Sequence, residues 1–181
     1  MRTIPNYRFD YSIYPNEMPQ LDTYNVVDKI YELIVINNYK DLLEIGVGGY
    51  GISTRALLEA CKKTSGTLIS IDCKISSGEL FKGNPNWTFV CSDSKTANIK
   101  GMYDVVLIDS SHTYEDTEAE LEKYVPMLRK GGYLFMHDTN EKPVLVPLIR
   151  YKNLNKNLET LFRYPDTNDP STARMMFLKK I

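Results

Sequence analysis

The stretch Asp41-Leu-Leu-Glu44-Ile-Gly46-Val-Gly48-Gly-Tyr-Gly51-Ile-Ser53-Thr54 sets the fold. Its first five residues read as a short apolar strand, Asp41–Ile45. Gly46, Gly48 and Gly51 then fit G-x-G-x-x-G, and a helical pattern runs from Ser53 to about Lys63. Glycines at these places allow a tight turn and let backbone approach a ligand closely. Asp72 closes the next strand, Thr67–Asp72, 21 residues after Gly51, where an acid can grip a ribose diol.

Working outward, Trp87–Cys91, Tyr103–Asp109 and Tyr133–Met136 read as further strands. A helix is expected from Thr113 to about Arg129, bent or shortened by Pro126 and stopped by Gly131-Gly132. Upstream, Val26, Ile30, Leu33 and Ile34 form a helical face with a cap signal at Asp22/Thr23. Downstream, a helix over Val144 to Leu154 precedes two strands, Leu158–Tyr164 and Ala173–Lys179, paired as an antiparallel hairpin. Short apolar strands alternating with helices mean a parallel sheet covered on both faces. The expected fold is α/β: a Rossmann-like, doubly wound sheet of seven strands, mostly parallel, with one antiparallel strand near the C-terminal edge. The reading is of one domain over residues 1–181, with the hairpin spanning 158–179. Residues 1–22, rich in Tyr and Pro, read as an extended aromatic arm, either packed on the body or closing over a ligand.

Composition narrows the function classes. The 22 basic residues are balanced by 23 acidic ones, net charge −1, which argues against a strongly electrostatic nucleic-acid binder. No apolar run reaches the ~18 residues of a membrane helix, and Met1–Asp10 lacks a signal peptide's apolar region. Cys61, Cys73 and Cys91 are widely spaced, so no disulfide framework is indicated and a reducing, cytoplasmic home is expected.

Two ligand classes use a glycine loop of this kind. A dinucleotide brings a pyrophosphate to the helix N-terminus, where Glu44 would be an unfriendly neighbour. S-adenosylmethionine carries a sulfonium and an ammonium, which an acidic lining suits. Glu44 has a plainer reading too, as a hydrogen-bonded acid at the strand's end. The Glu44–Gly51 stretch, Asp72, Asp93 in Cys91-Ser-Asp-Ser94, and Asp104–Asp109 followed by Gly131-Gly132-Tyr133 resemble the ordered motifs of class I S-adenosylmethionine-dependent methyltransferases. The resemblance covers about Asp22 to Asn140. It implies that Gly46 and Gly48 pass under the methionine part, that Asp72 binds the ribose and that Asp93 lies near the adenine amino group. Glu44, Gly51, Ser53 and Asp109 complete the expected cofactor-binding set.

A second constellation combines Asp109-Ser-Ser-His112 at the end of the fourth strand with His137-Asp138-Thr139-Asn140 at the end of the fifth. If these strands are neighbours, two carboxylates meet at one point and call for a shared proton or a cation. The arrangement is similar to small metal-dependent O-methyltransferases of the macrocin-type and cephalosporin hydroxylase-like branch. That branch carries Asp-x-x-His after strand four and an acidic pair after strand five. Here His137 replaces the first acid of that pair. The resemblance implies a divalent cation on Asp109 and Asp138. His137 either joins them as a metal ligand, which admits Mn²⁺, Fe²⁺, Co²⁺ or Zn²⁺, or points away and leaves two carboxylates and waters for Mg²⁺. His112 is the expected base for an acceptor hydroxyl, with Asp109 beside it.

The expected function is methyl transfer from S-adenosylmethionine to a hydroxyl of a small molecule. A nicotinamide-dependent oxidoreductase and a non-catalytic or hydroxylase-like relative of the same fold are the alternatives. With no room for a second domain, the arm or a neighbouring copy of the chain is expected to close the acceptor side.

Overall fold

The computed structural model describes residues 9–14, 26–165 and 174–181. Seven strands form one sheet: β1 (Asp41–Ile45), β2 (Thr67–Asp72), β3 (Trp87–Cys91), β4 (Tyr103–Ile108), β5 (Leu128–His137), β6 (Leu158–Tyr164) and β7 (Met175–Lys180). Their order is β3-β2-β1-β4-β5-β7-β6. β1 through β5 pair in parallel, and β7 runs antiparallel to both β5 and β6. The expected class and the single reversed strand are therefore both present.

Strand alternation divides the core. Leu42 and Leu68 face one side, where they pack with α1 (Val27–Asn37) and α2 (Ile52–Thr64). Leu43, Ile45 and Val106 face the other, under α3 (Tyr114–Tyr124) and α4 (Lys142–Asn155). In α1 the buried residues are Val27, Ile30, Tyr31 and Ile34, a one-sided spacing that fits a helix lying on a sheet. The cap signal at Asp22/Thr23 lies outside the described residues.

The expected long helix after the fourth strand is shorter than its sequence pattern. α3 ends at Tyr124, because Pro126 has no N–H to continue the ladder. The chain then enters β5 at Leu128, so Gly131 and Gly132 lie inside that strand instead of stopping the helix. They sit at a register shift, where Tyr103 pairs with Leu128 but Val105 with Tyr133.

Of the aromatic arm, only residues 9–14 are described. Phe9 and Tyr14 are buried against the α1/α2 layer, with the Phe9 ring 5.2 Å from that of Tyr31. The Tyr14 hydroxyl donates to the Ile52 carbonyl at 2.7 Å. This part packs on the body, and the rest of residues 1–22 lies outside the described residues. Cys61, Cys73 and Cys91 are all free thiols.

Candidate active site

Because β1 pairs with β2 on one side and β4 on the other, the chain reverses its winding direction at β1. Ligands in open parallel sheets bind outside the strand ends at such a point. A cleft of about 400 Å³ opens there. Of the expected cofactor residues, Gly46, Gly48, Asp72, Asp93 and Asp109 line it.

Gly46 is fixed by a close approach. Its φ is +90°, and a Cβ there would stand 1.7 Å from the Asp109 carbonyl oxygen. No side chain fits, so the first loop and the loop after β4 can touch only at a glycine. Asp72 grips the same loop: one carboxylate oxygen accepts from the Val47 and Gly48 amides at 3.0 and 3.2 Å. Its other oxygen accepts from the Lys74 amide at 2.8 Å. Asp93 accepts from the Lys95 amide at 2.7 Å, and its carboxylate stands 3.7 Å from the Lys95 ammonium.

Three expected cofactor contacts fall elsewhere. Glu44 does not line the cleft. It shares the sheet face of Leu42, so its carboxylate points into the interior beneath α2, with no solvent exposure. There it accepts from the hydroxyls of Ser53 at 2.6 Å, Thr54 at 2.8 Å and Ser70 at 2.7 Å. Burial pushes its carboxyl up to about 7, and the three hydroxyls only partly offset that. Ser53, 3% exposed, is committed to Glu44. Gly51 caps α2 in the left-handed region, and a Cβ on it would meet the Phe81 ring at 2.6 Å. The plain strand-end reading of Glu44 thus describes its contacts, and the acid anchors the first turn of α2 to the sheet.

The second constellation does come together. β4 and β5 are neighbours, so the ends of both strands bring their polar residues to one place. His112 Nε2 lies 3.3 Å from Asp109 Oδ1 and 3.0 Å from Asp138 Oδ2. His137 Nδ1 lies 3.3 Å from the same Asp109 oxygen and 2.9 Å from the same Asp138 oxygen. His112 and Asp138 both hold positive φ, 56° and 50°, an uncommon conformation outside glycine that aims their side chains at the cluster.

The electrostatics follow from this ring. Hydrogen bonds to Asp109 and Asp138 raise the His112 imidazole to about 10. Burial works to lower His137, but the same two carboxylates outweigh it and hold it at about 10. Burial would raise Asp109 and Asp138, yet the paired imidazoles hold both carboxyls below the usual range. Two imidazolium protons therefore balance two carboxylates, the charge that one divalent cation would also supply. The donor set fits such an ion. One nitrogen of His137 and one oxygen each of Asp109 and Asp138 lie within 4.8 Å of one another. The His137 Nδ1 separations of 2.9 and 3.3 Å match ligands about 2.1 Å from a common centre.

Among the cleft residues that escaped the sequence reading, Glu120 is the buried acid. Glu120 of α3 is 1% exposed and lines the cleft. Its two carboxylate oxygens accept from Ser94 and Ser110, each at 2.6 Å, and so tie the loop after β3 to the loop after β4. Burial raises its carboxyl, and the two serines only partly counter that. The signal was available: Thr117, Glu120, Leu121 and Tyr124 follow the spacing of one helix face, and the acid sits among its buried members. Nearby, the Lys123 ammonium donates to the carbonyls of Ser94, Lys95 and Ala97 at 2.6–3.0 Å. The Tyr124 hydroxyl also donates to Ser94. α3 thus holds the Asp93 loop by several hydrogen bonds.

Comparison with known proteins agrees with this geometry. The sequence model of a family described as a methyltransferase domain matches residues 43–139, just over half of the chain. No curated protein matches it. Among solved structures, the S-adenosylhomocysteine-bound methyltransferase PaMTH1 of Podospora anserina superposes with a TM-score of 0.68 at 12% identity. That match covers 86% of this chain and 77% of the other. The O-methyltransferase NovP gives 0.66 at 16% identity, over 87% and 79% of the two chains. An O-methyltransferase from Bacillus cereus gives 0.60 at 14% identity, over 93% and 86%. The family match, and not Glu44, sets aside the oxidoreductase alternative. Strand order, glycine loop and family match agree: the chain belongs to the methyltransferase domain family, as a class I S-adenosylmethionine-dependent methyltransferase.

Proposed function

We propose that this enzyme methylates a hydroxyl of a small molecule, with a divalent cation held by Asp109, His137 and Asp138. The observation that carries this reading is the meeting of His112, His137, Asp109 and Asp138 at the cofactor cleft, which Asp109 itself lines. The glycine loop and Asp72 hold the methionine and ribose parts of S-adenosylmethionine, and Asp93 stands by the adenine. A bound cation would lower the pKa of an acceptor hydroxyl and orient it. With that cation on Asp109, His137 and Asp138, the shared protons are displaced and His112 is left neutral, so that its Nε2 can take the hydroxyl proton. The acceptor oxygen forms its bond to the methyl carbon as the carbon–sulfur bond breaks, leaving S-adenosylhomocysteine. Holding oxygen, methyl and sulfur in line supplies much of the rate.

The acceptor side suits a small, uncharged molecule, since the chain carries a net charge of −1 and no large basic excess. Among the described residues no helix is long and apolar enough to cross a membrane. A cytoplasmic site of action is in keeping with three free thiols. A neighbouring copy of the chain remains our candidate for closing the acceptor side.

The test is transfer of labelled methyl groups to a panel of small hydroxyl compounds, with and without Mg²⁺ or Mn²⁺. Asp109→Asn and His112→Gln should each lower turnover by about 10²–10⁴-fold while S-adenosylhomocysteine still binds. Transfer to amines only, or full activity in either variant, would overturn the reading.

A further inference from the structure

Resting on that ion-binding reading, we infer that the centre takes a first-row transition cation (Mn²⁺, Fe²⁺, Co²⁺ or Zn²⁺) in preference to Mg²⁺, and that His137, closing a ring with Asp109, Asp138 and His112, is the ligand that discriminates. Mg²⁺ favours oxygen donors in near-ideal octahedral geometry, whereas an imidazole nitrogen suits the borderline transition ions.

His137 is held as a ligand would need to be. It is the last residue of β5 and pairs with Met175 of β7, so its backbone is fixed in the sheet. Its side chain is 8% exposed and cannot swing aside to let water replace it. Nδ1 is the nitrogen that faces both carboxylates, at 2.9 and 3.3 Å. A single N–H cannot point well at two oxygens at once, whereas a cation between them faces both. The turn after it is also tied down. Thr139 N donates to Arg174 O at 3.1 Å and Glu141 N to Asp138 O at 2.9 Å, which holds the Asp138 carboxylate beside the ring.

His112 reaches the same oxygens from the outer side, with a third of its side chain exposed. It is the more exposed of the two histidines and keeps its role as base. The selectivity therefore resides in His137, and exchanging that residue for an acid should restore an all-oxygen site.

The experiment uses chelator-stripped full-length protein and reads ion binding, not turnover. Calorimetry gives the affinities for Mn²⁺ and Mg²⁺, and visible absorption follows Co²⁺. Mn²⁺ should bind at least about 100-fold more tightly than Mg²⁺, with Co²⁺ bands that reflect a nitrogen ligand. His137→Glu should shrink that ratio to below about tenfold and change the Co²⁺ bands, while His112→Gln leaves the ratio within about threefold. S-adenosylhomocysteine binding checks that each variant is folded. Equal affinity for Mg²⁺ and Mn²⁺, or an unchanged ratio in His137→Glu, would overturn the inference and leave the ion-binding reading standing. Failure of Mn²⁺, Co²⁺ and Mg²⁺ alike to bind folded protein would overturn both, and the labelled-methyl assay still judges methyl transfer by itself.

Discussion

Two acids stand at the ends of neighbouring strands, Glu44 on β1 and Asp109 just past β4, and their surroundings differ in kind. Glu44 meets three hydroxyls and no opposite charge, and burial carries its carboxyl up to about 7. Asp109 meets two imidazoles, which hold its carboxyl below the usual range despite desolvation. Neutral hydroxyl dipoles offset only part of the loss of water, whereas opposite charges outweigh it. The first acid is a clamp inside the sheet, and the second belongs to a charged ring at its mouth. Glu44 is level with Leu107, whereas Asp109 lies two residues farther on, past the end of β4. One acid therefore sits in the interior beneath α2 and the other at the mouth of the sheet.

The largest effect on this contrast should come from removing the clamp. Glu44→Ala leaves Ser53, Thr54 and Ser70 without their acceptor and opens a cavity beneath α2, at a cost of about 3 kcal/mol or more. Glu44→Gln keeps size and hydrogen-bonding capacity and should cost about 1 kcal/mol. Urea denaturation of both variants at pH 7 measures the difference. Equal losses would mean that charge, and not the hydroxyl cage, fixes this acid.

The two clusters should also separate by pH. A carboxyl raised to about 7 in the folded state makes stability fall as pH rises from its ordinary value of 4.5 to about 7. That loss is at most about 3 kcal/mol, and Glu44→Gln should abolish it. Imidazoles raised to about 10 contribute stability that is full below 6.5 and lost as pH climbs through 10. His137→Gln should remove about half of that upper window, His112 keeping the rest, and leave the lower one unchanged. Denaturation midpoints of ion-free protein across both windows check the assignment.

The smallest effect belongs to Glu120, which shares Glu44's hydroxyl partners in kind but lies against the cleft. Glu120→Ala should weaken S-adenosylhomocysteine binding about tenfold, a change of about 1.4 kcal/mol, by freeing the loops that carry Ser94 and Ser110. In Glu120→Gln the amide can accept from one serine and donate to the other, so binding should stay within about threefold. Calorimetry on both variants tells a positioning role from one in stability alone.

Much of this molecule was legible in its residues. Period-two and helical patterns located all seven strands and the helices between them, because burial on two faces of a sheet writes itself into local sequence. The boundaries around Pro126 were harder, since the apolar spacing continues past Tyr124 and only the missing N–H ends the helix. Asp72, Asp93 and Asp109 could be placed at strand ends, where the topology brings them to one cleft. Glu44 could not, because the glycine motif marks the turn and says nothing of which sheet face the preceding acid takes. Glu120 stayed hidden for a related reason: a Glu in a highly charged helix reads as solvated until its face is known.

By itself, then, the sequence determined the alternation of strands and helices, the glycine turn and the residue types at the strand ends, all of which are local. Only the tertiary structure decided that Glu44 and Ser53 satisfy each other in the interior, and that two histidines converge on the same pair of carboxylate oxygens. Those outcomes depend on which strands lie side by side and on the directions of side chains brought together from residues far apart in the chain, which no local pattern encodes.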